Sequence, residues 1–181
     1  MPAKTAVTVD FTAPVESVND RTILRLPAAA SARLPSRGQV AATGTLDGHG
    51  FGTVVEPDGK KGHWIRLDPP LLEAVDAATG DTLRVELTPT KDWPEPEIPD
   101  DFQAALADAP DIAEVWAAIT PMARWEWVRW IGATKNPATR EKRIRVGIDK
   151  LRHGKRRPCC FDLSSCTDPA VARSGVLPSS E

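Results

Sequence analysis

The side chains that could do chemistry are concentrated in the second half of the chain, and most of them are cations beside tryptophans. On a helix predicted over 137–152, at 100° per residue, Ile144, Ile148 and Leu151 form one apolar stripe, and Arg140 falls inside it. Lys142, Arg145, Lys150 and Arg152 point to other faces. On the preceding helix, predicted over 121–134, the apolar arc holds Trp127, Val128, Trp130 and Ile131, and the same periodicity carried on to Lys135 sets that lysine between Val128 and Ile131. A cation facing inward is costly unless it meets an anion. One available partner is a carboxylate such as Asp100, Asp101 or Glu114. The other is a bound anion or phosphate, which an arginine would grip with two parallel hydrogen bonds. Arg143, Arg129 and Trp125 complete the candidates for contact with an anion or a partner. Trp125 lies with Met122 and Arg129 away from the main stripe, so it either packs on the first half of the chain or forms an exposed platform. Arginines alternating with tryptophans could stack single-stranded bases, at about 1–3 kcal/mol per base, although a basic helix face is more often simply solvated.

The tail offers a second chemistry. His153, Cys159, Cys160 and Cys166 could in principle fill a tetrahedral zinc shell, but adjacent cysteines reach one ion poorly and the usual C-x₂₋₄-C pairs are absent, so no metal site is assigned. Arg156 and Arg157 would lower the pKa of a nearby thiol, which leaves a redox role open. Enzyme signatures are missing: there is no G-x-S-x-G elbow, no phosphate-binding P-loop and no H-E-x-x-H pair. His49 and His63 stand singly in the β-rich half and read as strand or turn residues. Asp100 and Asp101 stand at a helix start, where capping and the helix dipole explain them. No catalytic residue and no cofactor is expected.

These side chains have to be positioned by two dissimilar halves. Up to residue 92 the pattern is that of short strands over 7–13, 22–26, 39–46, 49–56, 63–67 and 82–88, with Asp47-Gly48 as a two-residue hairpin turn. Six short strands predict a small barrel, and Asp68-Pro69 opens a short helix through Ala77. Three prolines between Trp93 and Pro99 forbid both helix and central strand, so residues 93–99 form a stiff acidic connector. Beyond it the period becomes 3.6, with helices predicted over 100–109, 111–119, 121–134 and 137–152. Thr120-Pro121 and Asn136-Pro137 mark two starts, and Gly154 ends the last helix. Residues 154–181 show no sustained periodicity and read as loop or partly disordered. The fold class is therefore α+β, a small β-barrel followed by a helical module.

Net charge, -2 over 181 residues, conceals a dipole along the chain. Lys91 to Ala123 holds eight acidic residues and one lysine, and Arg124 to Arg157 holds twelve basic residues and three acidic ones. Those segments should meet, and a block of one sign attracts phosphates or acidic surfaces. With all three cysteines in the tail, stability has to come from packing. The first ten residues lack the apolar core of a secretory signal, and no apolar run approaches the ~18 residues of a membrane span, so a cytoplasmic protein without membrane insertion is expected.

The stretch Ile98-Pro99-Asp100-Asp101-Phe102, then Trp127-Val128-Arg129-Trp130-Ile131, Lys135 and Thr139-Arg140-Glu141-Lys142-Arg143-Ile144, resembles the YdeI or OmpD-associated family, also called bacteriocin-protection proteins. Ile23-Leu24-Arg25-Leu26-Pro27, the run from Val40 to Phe51 and Gly80-Asp81-Thr82-Leu83-Arg84-Val85 are similar to the domain of unknown function 1905 that often precedes it. Together these cover about Phe11 to Gly154. The resemblance implies a double-split barrel related in shape to AbrB-type transcription factors, and it brings no assigned reaction or catalytic residue. Trp127 stands where members of the family commonly carry tyrosine, which keeps the aromatic core and loses a hydroxyl. Kinship to AbrB-like proteins favours DNA binding, yet residues up to Thr90 hold nine basic and eleven acidic side chains, a poor footprint for it. The expectation is a non-enzymatic binding or regulatory protein, stress- or resistance-related as the family's name implies, whose basic helical surface takes an acidic protein or a nucleic acid. The alternatives are a binder or enzyme for an anionic small molecule held by Lys135 and Arg140 between barrel and helices, and a metal or redox role of the tail. Oligomeric state is not written in the sequence.

Overall fold

The computed structural model describes residues 7–158 and 177–178, which fall into two compact units: residues 7–93 with 177–178, and residues 94–158. The first is a closed six-stranded antiparallel barrel in the order β1-β2-β5-β4-β3-β6. Its strands are β1 (Val9–Val18), β2 (Arg21–Arg25), β3 (Val40–Leu46), β4 (His49–Pro57), β5 (His63–Arg66) and β6 (Thr82–Pro89). Alternation builds the core. Val9, Phe11, Ala13 and Val15 are buried while Asp10, Thr12 and Pro14 are exposed, and Leu24, Ile65, Val85 and Leu87 meet them inside. The hairpin turn between β3 and β4 has positive φ at both Asp47 and Gly48, 46° and 83°, which matches the twist of the flanking strands.

Several elements depart from the sequence expectation. Strand β1 continues to Val18 instead of ending at residue 13, because it changes partner midway. Its first half pairs with β6 as far as Pro14 opposite Thr82, and from Val15 opposite Leu24 it pairs with β2. Pro14 has no N–H to donate and falls where one ladder gives way to the next. A short helix, α1 (Ala28–Ala32), had no periodic signal, since five residues barely exceed one turn. Helix α2 (Pro69–Ala74) is capped by Asp68, whose carboxylate accepts from the Leu71 amide at 3.1 Å, and it ends before the expected Ala77.

The second unit consists of α3 (Asp100–Ala107), a 3₁₀ turn (Pro110–Ile112), α4 (Ala113–Ala118), α5 (Pro121–Gly132) and α6 (Pro137–Arg152). Thr120 and Asn136 cap α5 and α6, accepting from Ala123 and Thr139 at 3.2 and 3.1 Å. At the end of α6, Gly154 takes φ 76°, and the amides of Gly154 and Lys155 close onto the carbonyls of Leu151 and Lys150 at 2.9 and 3.0 Å. Phe102, Ile112, Trp127, Ile131 and Leu151 form the core, each at most 1 % exposed. Gly147 of α6 is buried under the indoles of Trp127 and Trp130. Among the described residues no helix is long and apolar enough to cross a membrane.

Candidate functional site

Helix α5 ends at Gly132, earlier than the periodicity implied, and this corrects the reading of Lys135. The ammonium group lies beyond the helix, in the exposed connection to α6, and not in the apolar arc between Val128 and Ile131. Arg140 does sit half-buried on α6, as its position in the stripe implied. Its guanidinium grips Asp101 in the first turn of α3 through Nε at 2.5 Å and Nη2 at 2.8 Å. That hydrogen-bonded pairing holds the Asp101 carboxyl below the usual carboxylate range.

The same logic disposes of much of the basic block, and the acidic and basic segments meet as expected. Arg124 binds Glu95 through Nε and Nη2 at 2.8 and 2.6 Å, and its third donor group serves the carbonyls of Trp116 and Ile119. Arg152 reaches Asp111 at 2.5 Å, and Arg157 covers the buried carboxylate of Glu126. Two further candidates are also placed otherwise than the pattern implied. Arg129 is 7 % exposed, because the buried arc of α5 is wider than the apolar stripe and includes Glu126 and Arg129. Trp125 is half-buried and its indole N–H donates to the Pro94 carbonyl at 2.7 Å, which ties it to the proline-rich connector.

Two other cations of the block form a cluster that the sequence reading brought out only in part. Arg143 and Lys150 stand seven residues apart, on one side of α6. Both are half-buried, and they sit over the same Trp130 ring, with the guanidinium carbon 5.6 Å and the ammonium nitrogen 5.3 Å from its centroid. One Arg143 nitrogen donates to the Trp130 carbonyl at 2.7 Å, at the end of α5, where the same carbonyl also accepts from the Ala133 amide at 3.4 Å. Trp130 is itself held edge-on against the buried Trp127 at 6.0 Å. Neither cation is ion-paired to a carboxylate among the described residues. Two like charges over one ring repel each other, and the ring's quadrupole offsets this by only about 0.5–1 kcal/mol each at a partly exposed site. An anion with two or more oxygens would relieve that repulsion and use the remaining guanidinium donors. Lys150 was legible only as a solvent-facing residue. The signal that could have found it is its i, i+7 spacing from Arg143, opposite a tryptophan on the previous helix.

A different pair catches the eye in the barrel. Ser31 Oγ lies 2.6 Å from His63 Nδ1, and His63 Nε2 lies 3.0 Å from the Gly38 carbonyl. A carbonyl only accepts, so Nε2 carries the proton and Nδ1 accepts from the serine hydroxyl. Burial pushes the imidazole below its ordinary pKa, with Arg37 acting in the same direction and the Gly38 carbonyl and Asp58 against it. Serine and histidine are 2 % and 0 % exposed, so no substrate reaches them and the pair fastens α1 to β5. On the other side of α6, an open groove of about 640 Å³ runs along α3 over Ala105, Ala109, Ile144 and Ile148, with Arg145 and Asp149 at its edge. No group of three or more metal-binding side chains occurs among the described residues. Cys159, Cys160 and Cys166 lie outside them, and His153 bonds the Asp149 carbonyl at 2.8 Å.

A closed barrel followed by a helical module with a cation-flanked tryptophan is the arrangement on which the comparisons bear. Residues 11–87 match the domain of unknown function DUF1905, and residues 95–154 match the family described as bacteriocin-protection, YdeI or OmpD-associated. The two regions thus stand in the order the resemblance implied. No curated protein matches the chain.

Proposed function

We propose that this chain is a non-catalytic binding protein whose helical module takes anionic groups of an acidic partner between Arg143 and Lys150 over Trp130. The observation that carries this reading is the contrast within one basic block. Arg124, Arg140, Arg152 and Arg157 are matched to carboxylates, whereas Arg143 and Lys150 share an indole and no carboxylate among the described residues. Half-burial adds to the argument, since a charge with restricted access to water gains more from an arriving anion than a fully solvated one does. A pocket built on Lys135 and Arg140 has less support, because the guanidinium of Arg140 is committed to Asp101.

The test is a titration of the whole chain with polyglutamate and, separately, with tripolyphosphate, followed by tryptophan emission and by calorimetry. Binding to at least one of them is expected, weakening steeply as salt rises from about 50 to about 200 mM. Absence of binding to either, or binding indifferent to salt, would overturn the reading.

A further inference from the structure

In the barrel unit, period two places Leu24 and Ile65 inside and turns their neighbours outward. Glu16, Val18, Ile23, Arg25 and Trp64 therefore share the outer face of β1, β2 and β5, with Arg25 directly opposite Trp64 in the ladder. Three of these outward side chains are apolar and would form an exposed patch on a bare barrel. They are instead 5 %, 0 % and 1 % exposed for Val18, Ile23 and Trp64, in a small cluster separate from the barrel core. The fourth member of that cluster is Leu177, from more than a hundred residues later in the chain, itself 2 % exposed.

The contact has the parts of a peptide site. The Leu177 amide donates to the Asp58 carbonyl at 2.9 Å, just past the end of β4, and a guanidinium nitrogen of Arg25 donates to the Pro178 carbonyl at 2.6 Å. Arg25 is steadied by Glu16 at 3.2 Å, and the Trp64 indole N–H by the Pro57 carbonyl at 3.1 Å. One backbone donor, one backbone acceptor and one leucine are thus read on either side of an apolar floor, the way extended segments are recognised at sheet surfaces. The features used are ones that any extended segment with a leucine followed by proline presents.

We infer that the outer face of β1, β2 and β5 is a recognition groove for a linear Leu-Pro segment, and that Leu177-Pro178 is its resident ligand, held in cis. Leu177 and Pro178 belong to the same chain as the groove, so this ligand is always present in cis. A partner's segment must displace it to bind. The groove is independent of the Trp130 site, which is built in the other unit.

A fluorescently labelled peptide of residues 173–181, added to the full-length chain, tests this by anisotropy. Leu177→Asp empties the groove, so that variant is expected to bind the peptide at least about tenfold more tightly than the unaltered chain does, while a peptide with alanine in place of its leucine does not bind. A Leu177→Asp chain that keeps its circular dichroism and melting temperature, yet binds no better than the unaltered chain, would overturn the proposal. Should that variant unfold, hydrogen exchange on the unaltered chain decides. The Leu177 amide is expected to be protected and to exchange at least about tenfold faster when excess peptide competes. Protection that the peptide leaves unchanged rules out a displaceable segment.

Discussion

The barrel and the helical module handle polar groups in opposite ways. The barrel unit buries a neutral hydrogen-bonded pair, the Ser31 hydroxyl donating to His63 and His63 to the Gly38 carbonyl, with the charged Arg37 guanidinium half-buried at its edge. The module buries a charge and pairs it, Glu126 under Arg157, and ties its helices with Arg140–Asp101 and Arg152–Asp111, which are partly solvated. Backbone packing differs as well. In the barrel, β3 and β6 approach so closely at Gly44 that an added Cβ would stand 1.7 Å from the Glu86 carbonyl oxygen. In the module, a Cβ on Gly147 would meet the indoles of Trp127 and Trp130 at 3.7 Å, an ordinary contact. In the module, Arg143 and Lys150 share the Trp130 ring and no carboxylate among the described residues.

The largest expected effect follows from that backbone contrast. Gly44→Ala should cost about 3 kcal/mol or more, because strand backbone cannot yield as a flexible side chain can, and a denaturant titration would measure it. Its counterpart Gly147→Ala should instead gain about 0.5–1 kcal/mol from helix propensity and a less flexible unfolded chain. Similar losses at both positions would end the comparison.

The two units should also fail in different pH windows. His63 titrates lower in the folded state than when unfolded, so its neutral form contributes stability that is complete above its ordinary value of about 6.5 and is lost as pH falls below it. Asp101 is likewise depressed, from a lower starting point, so its contribution is complete above the ordinary aspartate value of about 3.9 and fades only as pH drops further. Melting curves between pH 7 and 5 should therefore fall for the unaltered chain and flatten in His63→Gln, while Asp101→Asn leaves that slope in place. A slope that survives His63→Gln would move its origin elsewhere. Asp101→Asn itself should cost about 0.5–1 kcal/mol at low salt and less at high salt, since a partly exposed pair is screened.

Much of the framework was legible because it is local. Asp47-Gly48, Asp68-Pro69, Thr120-Pro121, Asn136-Pro137 and Gly154 each announce a turn or a cap within a few residues, and the structure uses all five. Arg140 was legible too, since its place in an apolar stripe demanded an anion and Asp101 was among the three carboxylates named. Lys135 was misplaced because a helical wheel has no stop signal of its own, and α5 closes at Gly132. Arg129 was misplaced because the wheel grades faces by hydropathy while burial follows the neighbours. The convergence of Arg143 and Lys150 on Trp130 depends on how α5 and α6 lean together, which no single-helix pattern contains. Ser31 with His63, and Leu177 with Trp64, join residues thirty or more positions apart, beyond the reach of any periodic signal.

The central claim, that position and not bulk charge makes the binding site, is tested most directly by two charge-matched double variants titrated with the same polyanion. Arg143→Gln with Lys150→Gln removes the cations over Trp130, and Lys142→Gln with Arg145→Gln removes two exposed cations from another face of α6. The first pair is expected to weaken binding at least about tenfold, equivalent to about 1.4 kcal/mol, and the second less than about threefold. Equal losses from the two variants, or a larger loss from the second, would contradict the account.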